Sequence, residues 1–223
     1  MEWFKFFKKA PPNYPQFWKD YEQQFETGLP ESIHDTRFVV LDTETTGFNF
    51  ITDRMLCIGA ISLKNNQMKV SDAFEVYINQ EQFNPETVKI HGIINNSSEK
   101  RLSEEEAVKK FLAYIGNSVL VAHHAHFDIE MINCALERIG LPVLKNKVLD
   151  TMVLYRATRI KSNLLNREKQ YSLDEIAENL NISVKDRHTA AGDAMITAIA
   201  FLKIINKLFT KENSKLKHLF KIS

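Results

Sequence analysis

Phe38-Val39-Val40-Leu41-Asp42-Thr43-Glu44-Thr45-Thr46-Gly47 is the stretch that decides the fold of this chain. An apolar, β-branched run that stops at an acid reads as a buried strand delivering a carboxylate to its end. Side chains two apart on a strand point to the same side, so Asp42 and Glu44 face a common point. Two carboxylates held that close repel unless one is protonated or a cation lies between them. A hard divalent ion, which prefers oxygen ligands, relieves the conflict. The plain structural alternative is a strand end leading into an Asp/Thr/Gly turn.

Working outward, residues 55–63 and 73–78 read as two further strands, with Lys64-Asn65-Asn66-Gln67 as the turn of a hairpin between them. Ser103 and Glu106 make a capping-box pattern, and Ala107, Phe111, Leu112 and Ile115 follow at helical spacing. Residues 119–122 form a short buried strand, 127–139 a helix closed by Gly140 and Pro142, and 147–149 a strand leading to Asp150. Ser172 with Glu175 is a second capping box, and a long helix runs from Thr189 to Leu208. Strands followed by alternating helices and strands predict an α/β fold, a mixed sheet flanked by helices. In such folds sites gather at the carboxyl ends of parallel strands, where Asp42 and the segment after Val121 would sit.

The chain has 223 residues, enough for one domain with a substantial core. Residues 1–36, rich in aromatics and punctuated by Pro11, Pro12, Pro15 and Pro30, read as an N-terminal extension with one or two short helices. Residues 37–208 form the main domain, and 209–223, with Lys211, Lys215, Lys217 and Lys221, a basic tail. Trp3, Phe4, Phe6 and Phe7 alternate with Lys5, Lys8 and Lys9 in a run too short and interrupted for a signal peptide. That segment is expected to pack back onto its own domain, an amphipathic contact patch being the alternative. No later run approaches a membrane span, so no membrane partner is expected. Cys57 and Cys134 lie in apolar stretches and read as two buried thiols of a reducing cytoplasm.

Lys and Arg total 29 against 28 Asp and Glu, so no overall basic field announces nucleic acid. The charges are segregated, however: seven basic against two acidic residues from 144 to 170, and eight acidic against three basic from 71 to 106. One basic face suited to a polyanion and an ordinary solvated surface both fit that pattern.

Two more clusters carry acids at element starts. Val121-Ala122-His123-His124-Ala125-His126-Phe127-Asp128 places an acid just past an apolar strand, at the opening of a helix. In Arg187-His188-Thr189-Ala190-Ala191-Gly192-Asp193-Ala194 the small residues let a helix lie close to the sheet. If Thr189 caps that helix, His188 falls on the segment before it and Asp193 on its first turn, which brings an imidazole over a metal held by the acid. Taken singly, each has a structural explanation: an acid favoured at a helix N-terminus, an exposed helix residue, a loop histidine.

Asp42-Thr43-Glu44-Thr45-Thr46-Gly47, Ala125-His126-Phe127-Asp128, and His188 with Asp193 resemble the three motifs of the DEDDh exonuclease superfamily. That group holds the proofreading epsilon subunit of bacterial DNA polymerase III, oligoribonuclease and ribonuclease T. Ile90-His91-Gly92-Ile93 is similar to another recurrent segment of the family, and the resemblance spans residues 37–208. It implies an RNase H-like sheet and metal-dependent 3′–5′ hydrolysis of single-stranded 3′ ends of DNA or RNA to nucleoside monophosphates. It further implies two divalent cations, magnesium or manganese, held by Asp42, Glu44, Asp128 and Asp193, with His188 as general base. Substrate contacts would come from Thr43, Thr45, Ile90, His91 and Phe127, core packing being the alternative for Ile90 and Phe127. The resemblance leaves a DNA polymerase subunit open as a partner. One position departs from the pattern: family members often carry Asn where this chain has His124.

Two other readings remain open on sequence. His124, His126 and Asp128 are similar to the zinc site of metallo-β-lactamase-like hydrolases, although Ile129 stands where that pattern wants a further histidine. A catalytically silent subunit that only binds nucleic acid is the second.

Overall fold

The computed structural model describes residues 13–81, 84–93, 100–159, 169–209 and 215–222, with the side chain of Ile90 excepted. The aromatic segment 1–10, the Ile90 side chain, and Lys161, Arg167, Glu168 and Lys211 of the basic segments lie outside the described residues.

Strand β1 (Phe38–Thr45) sits inside a seven-stranded sheet. It pairs antiparallel with β2 (Met55–Lys64) and parallel with β6 (Val119–Ala122). Beyond β2 come β4 (Phe74–Ile78), antiparallel, and β5 (Arg101–Leu102); beyond β6 comes β7 (Val148–Asp150), parallel. The sheet is mixed, as expected. The hairpin differs from expectation: Asn65 and Asn66, both at positive φ, turn β2 back onto the two-residue β3 (Gln67–Met68). The chain reaches β4 only after a 3-10 turn at Val70–Asp72.

Strand alternation sorts the core into two layers. Phe38 and Val40 of β1 point to a cluster with Leu154, Ile176, Ile196, Phe201 and Ile204. These come from α5 (Thr151–Arg159), α6 (Leu173–Asn179) and α7 (Ala190–Leu208). Val39 and Leu41 point the other way, toward Phe111, Leu112, Met131 and Ile132 of α3 (Glu104–Ile115) and α4 (His126–Arg138). The same alternation continues past the apolar run, so Asp42 and Glu44 face the α7 layer while Thr43 faces the α4 layer.

Both capping boxes form: Ser103 with Glu106, and Ser172 with Glu175. Three helices were not anticipated, two within the domain and one in the C-terminal tail. The helix α2 (Pro85–His91) is a seven-residue element with Asn84 as its cap and Pro85 at its first position. The helix α5 follows β7 without a linker, so its start carries no separate cap; the Asp150 carboxylate accepts from the Met152 amide at 2.8 Å instead.

The N-terminal segment forms α1 (Gln16–Gln23) followed by a 3-10 turn, and buries Trp18 and Tyr21 fully in the α3–α4 layer. The Tyr21 hydroxyl donates to Asn146 at 2.6 Å and accepts from the Lys145 amide at 2.9 Å, anchoring it to the segment before β7. The C-terminal helix α8 (Leu216–Leu219) buries Leu216 and Leu219 in the opposite layer, and the Leu216 amide donates to Glu31. Cys57 is a buried free thiol, whereas Cys134 is only half-buried because it sits on the outer part of α4. Among the described residues no helix is long and apolar enough to cross a membrane.

Candidate active site

Asp42 and Glu44 leave the end of β1 toward the first turn of α7, where Asp193 meets them. Ligand-capable atoms of these three acids lie within 4.8 Å of one another. The approach of α7 depends on Gly59, the β2 residue paired with Asp42. A Cβ at Gly59 would fall inside the backbone of Ala190 and Ala191, so only glycine lets the helix start touch the strand. Thr189 caps α7 as its spacing predicted: its hydroxyl accepts from the Gly192 amide at 3.1 Å and donates to the Asp186 carbonyl at 3.0 Å. Gly192 is tied to the same turn, since a Cβ there would strike the Asp186 carbonyl.

Asp193 is 5% exposed, and its two carboxylate oxygens are used differently. Oδ2 accepts from Arg187 Nη1 at 2.5 Å and from the His188 amide at 3.3 Å. Oδ1 is buried with no hydrogen-bond partner among the described residues. A buried carboxylate oxygen left bare beside two other acids fits an oxygen-liganded cation.

Asp128 approaches from the other layer. Its Oδ1 accepts from both the Thr43 amide, at 2.9 Å, and the Thr43 hydroxyl, at 2.8 Å, and it is 4% exposed. Thr43 therefore holds Asp128 between the layers. The turn leading to α4 is shaped by Asp150, whose carboxylate accepts from the amides of His124 and Ala125 at 3.2 and 3.1 Å. Within that turn His124 takes a left-handed backbone, φ 54°, with its ring exposed. Asn and His are both enriched in that conformation, so His124 suits this backbone as an Asn would. His188 has the same geometry at φ 65° and presents an exposed imidazole just before α7.

Burial raises the acids' pKa values, with neighbouring acids adding to it at Asp42 and Glu44. Asp42 keeps partial solvent contact yet is enclosed by protein; burial first, then the charges of Asp128, Asp193 and Glu44, hold its carboxyl well above the ordinary range, against the pull of Arg187. Burial pushes Glu44 up to about 7, aided by Asp193 and Asp128. Burial also lifts Asp128 to about 7, outweighing the Thr43 hydrogen bonds. Asp193 is raised as well, by burial, despite its Arg187 partner.

These shifts fix a sign. Acids with raised folded-state pKa values bind more protons folded than unfolded, so stability falls as pH rises from the ordinary carboxylate range through about 7. The metal-free protein is expected to melt lower at pH 8 than at pH 5.5, by roughly 5 °C, and added Mn2+ should remove that decline. Thermal scans in EDTA and in Mn2+ check this; a metal-free melting temperature that rises over this interval contradicts the crowded cluster.

Next to Asp128 at the start of α4, Phe127 belongs to an aromatic rim. Phe127 is half-buried and packs against Phe48 and Phe50 with ring centroids 5.6 and 5.7 Å away, and His126 meets Phe50 edge-on at 5.9 Å. Phe48 is 77% exposed and Ile51 84%. A cleft of about 750 Å3, lined by Gly47, Phe48, Asn49, Asp53, Thr87 and Lys89 among others, opens beside this rim. Asp53 shapes its wall by accepting from the Thr46 hydroxyl at 2.8 Å and the Asn49 amide at 2.9 Å. His91 is buried at the end of α2 against the backbone of Thr45, its Nδ1 accepting from Ile93 at 3.0 Å. The Thr45 hydroxyl donates to the Gly47 carbonyl at 2.8 Å.

The sequence reading did not single out Phe48, Phe50 and Arg187, nor the part Thr43 plays in holding Asp128. The alternation Phe48-Asn49-Phe50 directly after Gly47 was the available signal for the rim. His124, His126 and Asp128 do not converge: both rings are exposed, and Asp128 turns inward to Thr43. Among the described residues, Asp42, Glu44 and Asp193 are the acids and histidines that gather as a metal-sized group.

A family model described as exonuclease matches residues 39–201. A DNA polymerase III PolC-type of Caldanaerobacter subterraneus subsp. tengcongensis is 37% identical over 183 residues, 82% of this chain and 12% of that protein. A second, from Clostridium perfringens, is 35% identical over 75% of this chain and 11% of that protein. The chain thus spans about an eighth of the length of these relatives. Among solved structures, Exonuclease X in complex with 5′ overhanging duplex DNA aligns with TM-score 0.59 and 21% identity, covering 79% of this chain and 96% of that one. E. coli Exonuclease I in complex with a dA16 oligonucleotide aligns with TM-score 0.67 and 16% identity, covering 84% of this chain and 42% of that one. The architecture is that of the exonuclease RNase H-like fold.

Proposed function

Because this chain belongs to the DEDDh-type 3′–5′ exonuclease superfamily, we propose that its acid cluster releases nucleoside monophosphates one at a time from single-stranded 3′ ends of DNA. The observation that carries the proposal is the convergence of Asp42, Glu44 and Asp193, with one Asp193 oxygen buried and bare. Asp42, Glu44, Asp128 and Asp193 would hold two divalent cations, magnesium or manganese. Such ions, when bound, neutralise charge on the phosphate and lower the pKa of water.

The chain's own residues supply the rest. His188, exposed just before α7 with its amide bonded to Asp193, would accept a proton from the attacking water as general base. Thr43 orients Asp128 through two donors to one oxygen, leaving the other oxygen free of it. The rim of Phe48, Phe50 and Phe127 offers faces on which unpaired bases stack without regard to sequence. His91 and Thr45, packed together at the end of β1, would line the terminal nucleotide. Stacking on those faces would favour a frayed end, since a paired terminus hides its stacking faces. The likeness to a short piece of PolC-type polymerases supports a role beside a polymerase, editing or trimming newly made 3′ ends.

The test is a single-stranded oligonucleotide labelled at its 5′ end, incubated with Mn2+ or with EDTA. Progressive shortening that keeps the label, abolished by EDTA, is the expected result. Internal cuts, loss of the label first, or activity that survives EDTA would overturn the reading. Parallel RNA and fully paired substrates are expected to be cut more slowly.

A further inference from the structure

Arg187 is unexplained by the proposed chemistry. It lies beside the acid cluster, 20% exposed, and spans two carboxylates on different helices. Nη1 bonds Asp193 at 2.5 Å, while Nε and Nη2 form a two-pronged pair with Asp174 of α6 at 2.7 and 3.1 Å. The Asp174 side chain is largely exposed and outside the cluster; that of Asp193 is buried and part of it. Among the described residues, Arg187 is the cation paired with an acid of the cluster.

We propose that Arg187 is a built-in counter-cation that occupies the Asp193 side of the cluster until a divalent ion arrives, with Asp174 as the dock that draws it away. Several acids gathered in a partly buried space need positive charge to stay together. Arg187 supplies it from a fixed fork, so the site keeps its shape without metal. A divalent cation then competes with that guanidinium for the field of the same carboxylates. Asp174 sets the balance: its two-pronged grip neutralises most of Arg187 and keeps Nη1 at the edge of the cluster. The inference rests on the metal-binding reading above and adds to it how the metal's affinity is set.

Two substitutions separate this idea from simple structural support, because they should move metal affinity in opposite directions. Arg187→Gln removes the competitor, so Mn2+ should bind about tenfold tighter, while the EDTA-treated protein melts roughly 5 °C lower. Asp174→Asn frees the whole guanidinium to lean on the acids, so Mn2+ should bind about threefold more weakly. The double variant should match Arg187→Gln. Isothermal titration of Mn2+ into each 223-residue protein, with melting curves in EDTA, reads all of these without any substrate. Weaker Mn2+ binding by Arg187→Gln, or equal or tighter binding by Asp174→Asn, overturns the counter-cation. If the unaltered protein takes up no Mn2+ at all, the metal site itself is refuted and this inference falls with it.

Discussion

An Asp42→Asn protein is expected to lose at least about a thousandfold in nucleotide release while melting higher than the unaltered protein in EDTA. The two effects have one cause. Asp42 is the acid on which burial and the charges of Asp128, Asp193 and Glu44 all bear in the same direction. Replacing its carboxylate by a neutral amide of the same shape relieves repulsion in the metal-free fold. The same change deletes an anionic ligand from the cluster, so a divalent ion is held less well and out of place. An enzyme with a conventional structural aspartate here would show the reverse: lower stability and retained rate. Release rate on a labelled oligonucleotide and a melting curve in EDTA, taken on one preparation, distinguish them.

The second large effect is expected at Gly59, which touches no substrate. Gly59→Val would drive its side chain into the backbone at Ala190 and Ala191. Neither a sheet strand nor a helix start yields cheaply, so stability should fall by about 3 kcal/mol. The displacement falls on the turn that carries His188 and Asp193, and a shift near 1 Å there costs on the order of a hundredfold in rate. Chemical denaturation gives the first quantity and initial rates the second. A variant that keeps both would show that α7 does not depend on this contact for its position.

The fold was legible where periodicity was long. The apolar run ending at Asp42, the two capping boxes and the α7 pattern all appear where their spacing placed them. What escaped were short or uncapped elements: β5 has two residues, and α5 begins directly on the strand before it. The Asn65-Asn66 turn was readable, but its partner strand was not, because two residues of β3 carry no alternation to detect.

The acids of the site were legible because each stands at the edge of an element that the sequence marks. Their division of labour was not. That Thr43 would use both donors on Asp128 follows from the two-layer sorting of β1, which requires knowing where α4 packs. Arg187 sits next to His188 in sequence, yet it pairs with Asp174, thirteen residues away on α6. Nothing in local pattern links them. His124 shows the converse: an apparent departure in side chain preserves a left-handed backbone that both residue types tolerate.

Anomalous diffraction from a crystal soaked in Mn2+ tests the metal site proposed at Asp42, Glu44, Asp193 and Asp128 most directly. A peak is expected about 2.2 Å from carboxylate oxygens of Asp42, Glu44 and Asp193, the last through Oδ1, with Asp128 at or beside a second peak. An empty cluster, or manganese bound instead at His124 and His126, would contradict the metal-dependent nuclease.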